Sequence, residues 1–386
     1  MICSHEVWSR TSTALSFFFV LLIWLCSHQV AFAQRPPERV VSPEVSPDHR
    51  VTIRFRAPNA KEVSVPIEGY EKPLPMTKGE NGVWSVTTDP LVADYYGYSI
   101  LMDGEDLVDP NNPMLRPNLF NSGNAVRVPG PSTLPWEIND VPHGVVHHHL
   151  YHSSVVGDDR DFYVYTPPKY DPASQQRYPV LYLLHGFSDE ANAWTVIGHA
   201  NIILDNLIAQ DRAKPMIVVM PLGYGTMEMI RLAWAAWERP DLRDENFRKF
   251  TRALLTEVMP QVESEYRIRR NRDSRAIAGL SMGGSESLLT GLNNLDKFGW
   301  IGAFSSGGIP RDFQEDFPEL DASAARHLHL LWIACGTEDE LITGNRNLRT
   351  WLKSKNIPLT EIETPGKHTW MVWRRNLANF APLLFR

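Results

Sequence analysis

The chain changes its hydrophobic rhythm partway along. In its earlier part, apolar and polar positions alternate: Val51-Thr52-Ile53-Arg54-Phe55-Arg56 puts every second side chain on one face, the pattern of a half-buried strand. Turn-forming residues follow at Ala57-Pro58-Asn59-Ala60, Lys78-Gly79-Glu80-Asn81-Gly82 and Asp103-Gly104. Between them, residues 83–86 and 95–102 read as further strands, and Asp109-Pro110-Asn111-Asn112-Pro113 breaks the pattern again. Short strands at this spacing predict a small β-sandwich over residues 38–130. A seam runs from Pro129-Gly130-Pro131 to Pro135, where neither helix nor central strand continues.

From about residue 141 the period lengthens. Residues 178–184 and 215–221 are continuous apolar runs, as expected of strands covered on both faces, and 275–278, 300–305 and 328–335 read similarly. Between the first two runs Ala200, Ile203, Leu204 and Leu207 recur at helical spacing, as do Phe247, Phe250, Leu254 and Val258 later. Strands alternating with helices predict an α/β domain with a mostly parallel sheet over residues 141–386. No internal repeat or low-complexity tract interrupts it.

The first 33 residues read differently. Arg10 lies in a short polar region, residues 14–26 are apolar, and Ala31-Phe32-Ala33 supplies a small-x-small cleavage site. Thirteen apolar residues rise only about 20 Å as a helix, short of the roughly 30 Å hydrocarbon core. The expectation is therefore a cleavable signal, cut after Ala33, and a secreted or periplasmic product with no stable membrane insertion. Cys3 and Cys26 leave with the signal, so Cys335 remains alone and no intrachain disulfide can form.

Composition narrows the class further. With 43% hydrophobic and 22% charged residues among 386, the chain is globular in type rather than disordered. A formal charge of −7 gives no general electrostatic reason to bind nucleic acid.

The strongest chemical signal is Arg275-Ala276-Ile277-Ala278-Gly279-Leu280-Ser281-Met282-Gly283-Gly284. A strand runs through G-x-S-x-G into a helix starting near Met282. Side chains two before and two after the serine would collide with neighbouring elements, which explains the glycines. Such a turn lifts the Ser281 hydroxyl out of the sheet. An ordinary hydroxyl needs a base, and the base an orienting acid, which follow the serine in the order acid then histidine. The run ending at Cys335 leads into Gly336-Thr337-Glu338-Asp339-Glu340, a turn with three carboxylates, of which we take Asp339. A helix near 345–355 and a strand near 359–363 then precede Pro365-Gly366-Lys367-His368-Thr369-Trp370. His327 and His329 precede the acid, so the order selects His368. The oxyanion hole is expected from the N–H groups of Met282 and Phe187, the latter in Leu184-His185-Gly186-Phe187; His185 reads as structural.

These segments, with Ala200-Asn201, Asp205-Asn206-Leu207-Ile208-Ala209 and Pro215-Met216-Ile217-Val218-Val219-Met220-Pro221, resemble the feruloyl and acetyl-xylan esterases of carbohydrate esterase family one, in the esterase-D-like superfamily. Mycolyltransferases and enterochelin esterases are relatives of that group. The resemblance covers residues 141–386 and implies an α/β-hydrolase domain, a Ser281–Asp339–His368 triad and a Phe187–Met282 oxyanion hole. It implies no metal or organic cofactor, and a polysaccharide-linked or small ester as substrate, with ferulate or acetate on xylan foremost. Lys367 departs from the pattern, since the family often has a second glycine there. Phe55-Arg56-Ala57-Pro58-Asn59-Ala60-Lys61-Glu62-Val63, Gly82-Val83-Trp84 and the tyrosines before Asp103 resemble the immunoglobulin-like (E-set) N-terminal domain of isoamylase-type and glycogen-branching enzymes, which sometimes binds polysaccharide. Burial of Trp84 and the tyrosines in the sandwich core is the preferred reading.

Other signals are weaker. His147-His148-His149, with His143 and His152, lacks a third metal ligand at suitable spacing and reads as strand or surface. Five arginines within 267–275 read as solvated surface. Trp234 and Trp237, in residues 227–237, stand equally as pocket lining or helix packing; so do Trp194, Trp370 and Trp373, with Trp370 nearest His368. The sequence thus leads to a secreted serine esterase acting through an acyl-enzyme on Ser281. Two alternatives stay open: an acyltransferase passing the acyl group to a sugar, and a polysaccharide-binding protein with an inactive esterase domain.

Overall fold

The computed structural model describes residues 39–308 and 312–386, so the export signal expected over 1–33 lies outside the described residues. Ser42–Arg386 form one compact unit. Its first part is all antiparallel strand, arranged as three small sheets. Val51–Arg56 and Val83–Thr87 pair in one of them, with Phe55 opposite Trp84. Their alternate side chains, together with Trp84, Tyr96 and Tyr98, fill a common apolar core, so the aromatic residues are interior. The run expected as one strand over 95–102 is divided. Asp94–Tyr98 pairs with Gly123–Val128, whereas Ile100–Met102 pairs with Val63–Val65 in another sheet. The chain changes sheets at Ser99, whose N–H donates to Pro66 O (3.2 Å), a step that alternation alone does not reveal.

The second part is built on eight strands: β1 (Val145–Ser153), β2 (Asp158–Thr166), β3 (Val180–Leu184), β4 (Ile217–Pro221), β5 (Arg275–Leu280), β6 (Trp300–Phe304), β7 (Leu330–Gly336) and β8 (Thr360–Thr364). Their order is β1-β2-β4-β3-β5-β6-β7-β8. β1 and β2 are antiparallel and the rest parallel. Every residue of β3, β4, β5 and β6 is buried, which is why these segments read as unbroken apolar runs. Helices cover both faces. α1 (Ala200–Ala209) and α5 (Trp370–Phe380) pack on one; α2 (Pro240–Ala253), α3 (Met282–Leu292) and α4 (Ile342–Ser354) pack on the other.

The two parts are joined through buried polar contacts. The Arg374 guanidinium on α5 donates from Nε (3.1 Å) and Nη2 (2.7 Å) to Asp94 Oδ1 at the start of a sandwich strand. Arg374 also donates to the carbonyls of Ile197 and Tyr95. Neither side chain of the pair has appreciable exposure, so Arg374 depends on Asp94 for compensation, while Asp94 also accepts from Arg375 Nη2 at Oδ2 (3.2 Å). Beside them the Tyr95 ring lies 3.9 Å from the His199 ring. Burial, then the Arg374 and Arg127 charges, drive His199 down to about 3 and keep it neutral. The proline-rich seam is also anchored: Leu134 and Trp136 pack into the α/β core, and Asn206 donates to the carbonyls of Pro135 and Glu137.

The histidine strand lies at the sheet edge. His148 and His152 pair with Asp161 and Asp159, while His147 and His149 pack on the Tyr266 ring. Among the described residues no helix is long and apolar enough to cross a membrane.

Removing one partner of a buried ion pair costs roughly 3–5 kcal/mol. Arg374→Ala is accordingly expected to lower the unfolding free energy by about that amount in urea denaturation of the full chain. A loss within about 1 kcal/mol would mean that the pair contributes little.

Candidate active site

The site forms at the carboxyl end of the parallel sheet. Ser281 follows the last residue of β5 and precedes α3, with φ 51° and ψ −117°, a backbone region that side chains rarely adopt. Two glycines make the turn possible. A Cβ on Gly279 would lie 2.4 Å from the Gly283 carbonyl oxygen, and a Cβ on Gly283 would lie 2.4 Å from that of His185. Backbone bonds then hold the turn: Ser281 N–H donates to Phe304 O on β6 (2.8 Å), and Ser281 O accepts from Gly307 (3.1 Å) and Ser285 (3.2 Å).

Opposite the serine, the loops after β7 and β8 bring in an acid and a base. His368 Nε2 is 3.0 Å from Ser281 Oγ, and His368 Nδ1 is 2.9 Å from Asp339 Oδ2. Of the three carboxylates in the β7 turn, only Asp339 is buried; Glu338 and Glu340 face solvent. Burial by itself would raise the Asp339 carboxyl, but the His368 hydrogen bond and charge, with the Leu341 N–H, hold it below its ordinary value. The two loops are laced together, with Thr337 N–H on Thr364 O (2.9 Å) and Glu338 N–H on Gly366 O (3.0 Å). His368 therefore has its ring fixed by an ionised acid, its other nitrogen directed at the serine hydroxyl. Its edge rests on Trp373, with ring centres 4.8 Å apart.

The loop after β3 lies against the serine: a Cβ on Gly186 would stand 3.4 Å from Ser281 Cβ. The N–H groups of Phe187 and Met282 have no backbone acceptor among the described residues, and Met282 begins α3. Met282 lies at the N-terminus of α3, an end of a helix that favours negative charge. His185 is buried. Its Nδ1 bonds to Gly186 O and its Nε2 accepts from Gly223 N–H, both at 2.8 Å, and burial drives it down to about 4. It is a neutral scaffold for this loop.

The tryptophans separate into two groups. Trp194 is 0% exposed, with its indole N–H on Leu184 O, and Trp370 is 1% exposed and packed edge-on against Trp194 and Trp373. Both belong to the core, which corrects the reading that would place them against substrate; α5 begins at Trp370 and turns that side chain inward. Trp234 is 68% exposed and Trp237 half-buried, and both lie edge-on to Phe187 at 5.1 and 5.2 Å. Trp237 belongs to an apolar wall that includes Phe187, Met282, Tyr224 and Phe247, and Trp234 borders it through Phe187.

Part of this wall comes from the sandwich. Phe120 packs edge-on against Phe187 (5.4 Å) and Trp234 (6.4 Å). Next to it, Leu119 N–H donates to Ser188 O (2.8 Å) and Asn118 Nδ2 to Ser188 Oγ (2.9 Å). Nothing in the spacing of residues 117–122 announces this contact, about 70 residues away in sequence. Sequence reasoning also missed two buried acids. Glu286 on α3 has neither carboxylate oxygen hydrogen-bonded among the described residues, and burial raises it well above its ordinary value. Asp189, in the loop after β3, is raised to about 7 by burial, opposed by Arg116, the Gly186 N–H, Asn118 and His368.

A serine at a strained elbow after β5, an acid after β7 and a histidine after β8 of this sheet define the α/β-hydrolase class. The chain belongs to the Esterase family, whose model matches residues 153–384. It is 29% identical over 355 residues to an endo-1,4-beta-xylanase/feruloyl esterase of Xylanibacter ruminicola, covering 89% of this chain and 46% of that protein. The chain thus spans about half the length of that relative. An acetyl esterase of Caldicellulosiruptor saccharolyticus is 24% identical over 232 residues, covering 52% of this chain and 80% of that protein. Among solved structures, the ferulic acid esterase of Anaeromyces mucronatus superposes with TM-score 0.58 at 25% identity, over 66% of this chain and 96% of that one. The enterobactin esterase of Shigella flexneri shares the fold over 86% of this chain and 92% of its own, with TM-score 0.64 at 18% identity.

Asp189 makes stability depend on pH. Held near 7 rather than 3.8, it keeps a proton in the folded chain, between those values, that the unfolded chain has lost. Its contribution is therefore fullest below about pH 4 and declines as pH rises to about 7. Asp189→Asn abolishes this titration, so its Tm relative to wild type is expected to rise between about pH 5 and about pH 8. A pH-independent offset in calorimetry would contradict the assignment.

Proposed function

We propose that the protein is a serine carboxylic-ester hydrolase that removes acyl groups, feruloyl foremost, from plant polysaccharide such as xylan. One observation carries the reading: the Asp339–His368–Ser281 chain of hydrogen bonds, 2.9 and 3.0 Å long, ending on a serine in strained backbone. In the first step His368 Nε2 takes the Ser281 proton while Oγ bonds to the ester carbonyl carbon. The resulting oxyanion accepts from Phe187 and Met282 N–H. The intermediate collapses by breaking the carbon–alkoxy bond, and His368 returns its proton to the departing alcohol. Water then attacks the acyl-enzyme, again losing a proton to His368, and releases the acid with Ser281 restored. Asp339 orients the imidazole and stabilises its charged form throughout.

The apolar wall supports an aromatic acyl group. Phe187 carries one oxyanion donor on its backbone, and its ring meets Phe120, Trp234 and Trp237 edge-on. A hydroxycinnamoyl ring adjoining this group gains edge and face contacts that acetate cannot make. The names of the Xylanibacter ruminicola and Anaeromyces mucronatus proteins support the same substrate. The leader of residues 1–33 supports export, consistent with a polymeric substrate outside the cell.

Hydrolysis of 4-nitrophenyl acetate, methyl ferulate and acetylated xylan tests the reading. Ser281→Ala is expected to lower kcat at least about 10⁴-fold on every ester the wild type cleaves. Undiminished turnover would remove Ser281 from the mechanism. Trp234→Ala is expected to reduce kcat/KM for methyl ferulate about fivefold relative to 4-nitrophenyl acetate, the worth of one aromatic contact. An equal effect on both esters would dissociate Trp234 from the acyl pocket.

A further inference from the structure

Five arginines crowd into residues 267–275, and the chemistry at Ser281 uses none of them. They lie at the amino end of the sheet, because Arg275 opens β5 while Ser281 follows its last residue. The 6 residues of β5 separate the two ends by about 20 Å. Beside the start of β5, three cations are set close together. Tyr178 and Ile268 form a parallel bridge, with Tyr178 N–H on Arg267 O (2.8 Å) and Arg269 N–H on Tyr178 O (2.9 Å). Both bridge residues are buried, so strand alternation turns Arg177, Arg267 and Arg269 outward. Strand spacing and rise put their Cα atoms within about 8 Å of one another. Each guanidinium is fixed on a main-chain carbonyl: Arg177 Nη1 on Ile268 O (3.3 Å), Arg267 Nε on Pro172 O (2.8 Å) and Arg269 Nε on Arg177 O (3.2 Å).

The nearby carboxylates are engaged elsewhere. Glu263 takes Arg270 and Arg275, Asp273 takes Arg272 and His329, and Glu265 takes His149. Asp171 accepts the Ala173 N–H. Among the described residues, Arg177, Arg267 and Arg269 pair with no carboxylate. Their remaining N–H groups match planar oxyanions such as carboxylates. The chain as a whole carries −7, so any attraction of a polyanion is local to this row. A cavity of about 320 Å³ opens beside it, with His147, Thr166, Tyr170, Pro172, Glu265 and Tyr266 in its lining. Arg267 frames the cavity: its N–H donates to Tyr170 Oη (3.0 Å), and its guanidinium holds Pro172. Hydroxyl, imidazole and carboxylate groups beside tyrosine rings suit a sugar ring better than a lipid chain. We propose that this end of the α/β domain docks an acidic polysaccharide. Uronate carboxylates lie on Arg177, Arg267 and Arg269, and a neighbouring sugar ring enters the cavity. The choice of a polysaccharide rests on the ester-hydrolase reading; the attraction of carboxylates to the row does not. Because the row and Ser281 lie at opposite ends of β5, a docked polymer leaves the serine open.

Isothermal titration calorimetry of full-length Ser281→Ala protein with glucuronoxylan oligosaccharides tests the proposal without turnover. The protein is expected to bind them about tenfold more tightly than the same oligosaccharides with their carboxylates reduced to alcohols. That preference is expected to shrink in about 0.5 M NaCl. Arg177 and Arg269 are exposed, so replacing both with glutamine leaves the core intact. In the Ser281→Ala background this double change is expected to weaken binding about tenfold. His147→Ala removes a cavity group whose burial, then His149, favour its neutral form, and is expected to weaken binding about threefold with the same salt dependence. Equal affinity for native and reduced oligosaccharides, or undiminished binding by the double variant, overturns the proposal. So does capture by phosphatidylglycerol vesicles of a protein that ignores the oligosaccharides. Unchanged affinity in His147→Ala removes the cavity from the site. In the active chain, Arg177→Gln with Arg269→Gln is expected to leave 4-nitrophenyl acetate turnover unchanged, and a loss there would contradict a site apart from the cleft. If wild type cleaves no ester, the hydrolase reading fails, while the calorimetry still decides the docking surface.

Discussion

The site depends on one backbone constraint, a serine held at φ 51° between two positions that accept no side chain. Conformations of this kind cost about 1–3 kcal/mol and persist only where the surroundings over-determine them. Here the over-determination is visible. β5 is buried along its whole length between β3 and β6, and the Ser281 N–H and carbonyl are bonded to Phe304, Gly307 and Ser285. The neighbouring strands deliver the other groups by the same logic. β7 and β8 pair in register up to Gly336 and Thr364, and the loops they launch are stitched together before they reach Asp339 and His368. A rigid sheet thus sets three flexible side chains within hydrogen-bond range.

The second constraint joins the sandwich to that sheet. Asp94 and Arg374 compensate each other out of solvent, and the strand that begins at Asp94 is the one paired with Gly123–Val128. The segment leading into that partner strand carries Asn118, Leu119 and Phe120 to the loop after β3. The buried pair and the Ser188 contacts hold the sandwich so that its edge closes one side of the cleft.

Much of this was legible in the sequence because it is local. G-x-S-x-G after an apolar run and before a helical pattern describes a turn whose sterics demand those residues, and the order acid then histidine follows the chain. The α/β architecture was legible for the same reason, since buried parallel strands such as β3 and β5 have no polar face to interrupt them. What escaped reading depends on packing between distant segments. Proximity to His368 suggested Trp370 as a pocket residue, but the first turn of α5 directs it into the core. Asn118 and Phe120 carry no signature, because their role exists only once the sandwich is docked. The switch of sheets at Ser99 and the buried acids Asp189 and Glu286 are likewise products of tertiary structure.

The central claim is that acyl groups pass through Ser281. It is tested most directly by acid-quenching the full-length enzyme during turnover of 4-nitrophenyl ferulate and locating the adduct by peptide mass spectrometry. The account predicts a feruloyl group on the peptide containing Ser281, absent when His368 is replaced by alanine. A feruloyl adduct on another residue, or turnover that accumulates the same adduct in Ser281→Ala protein, would contradict it.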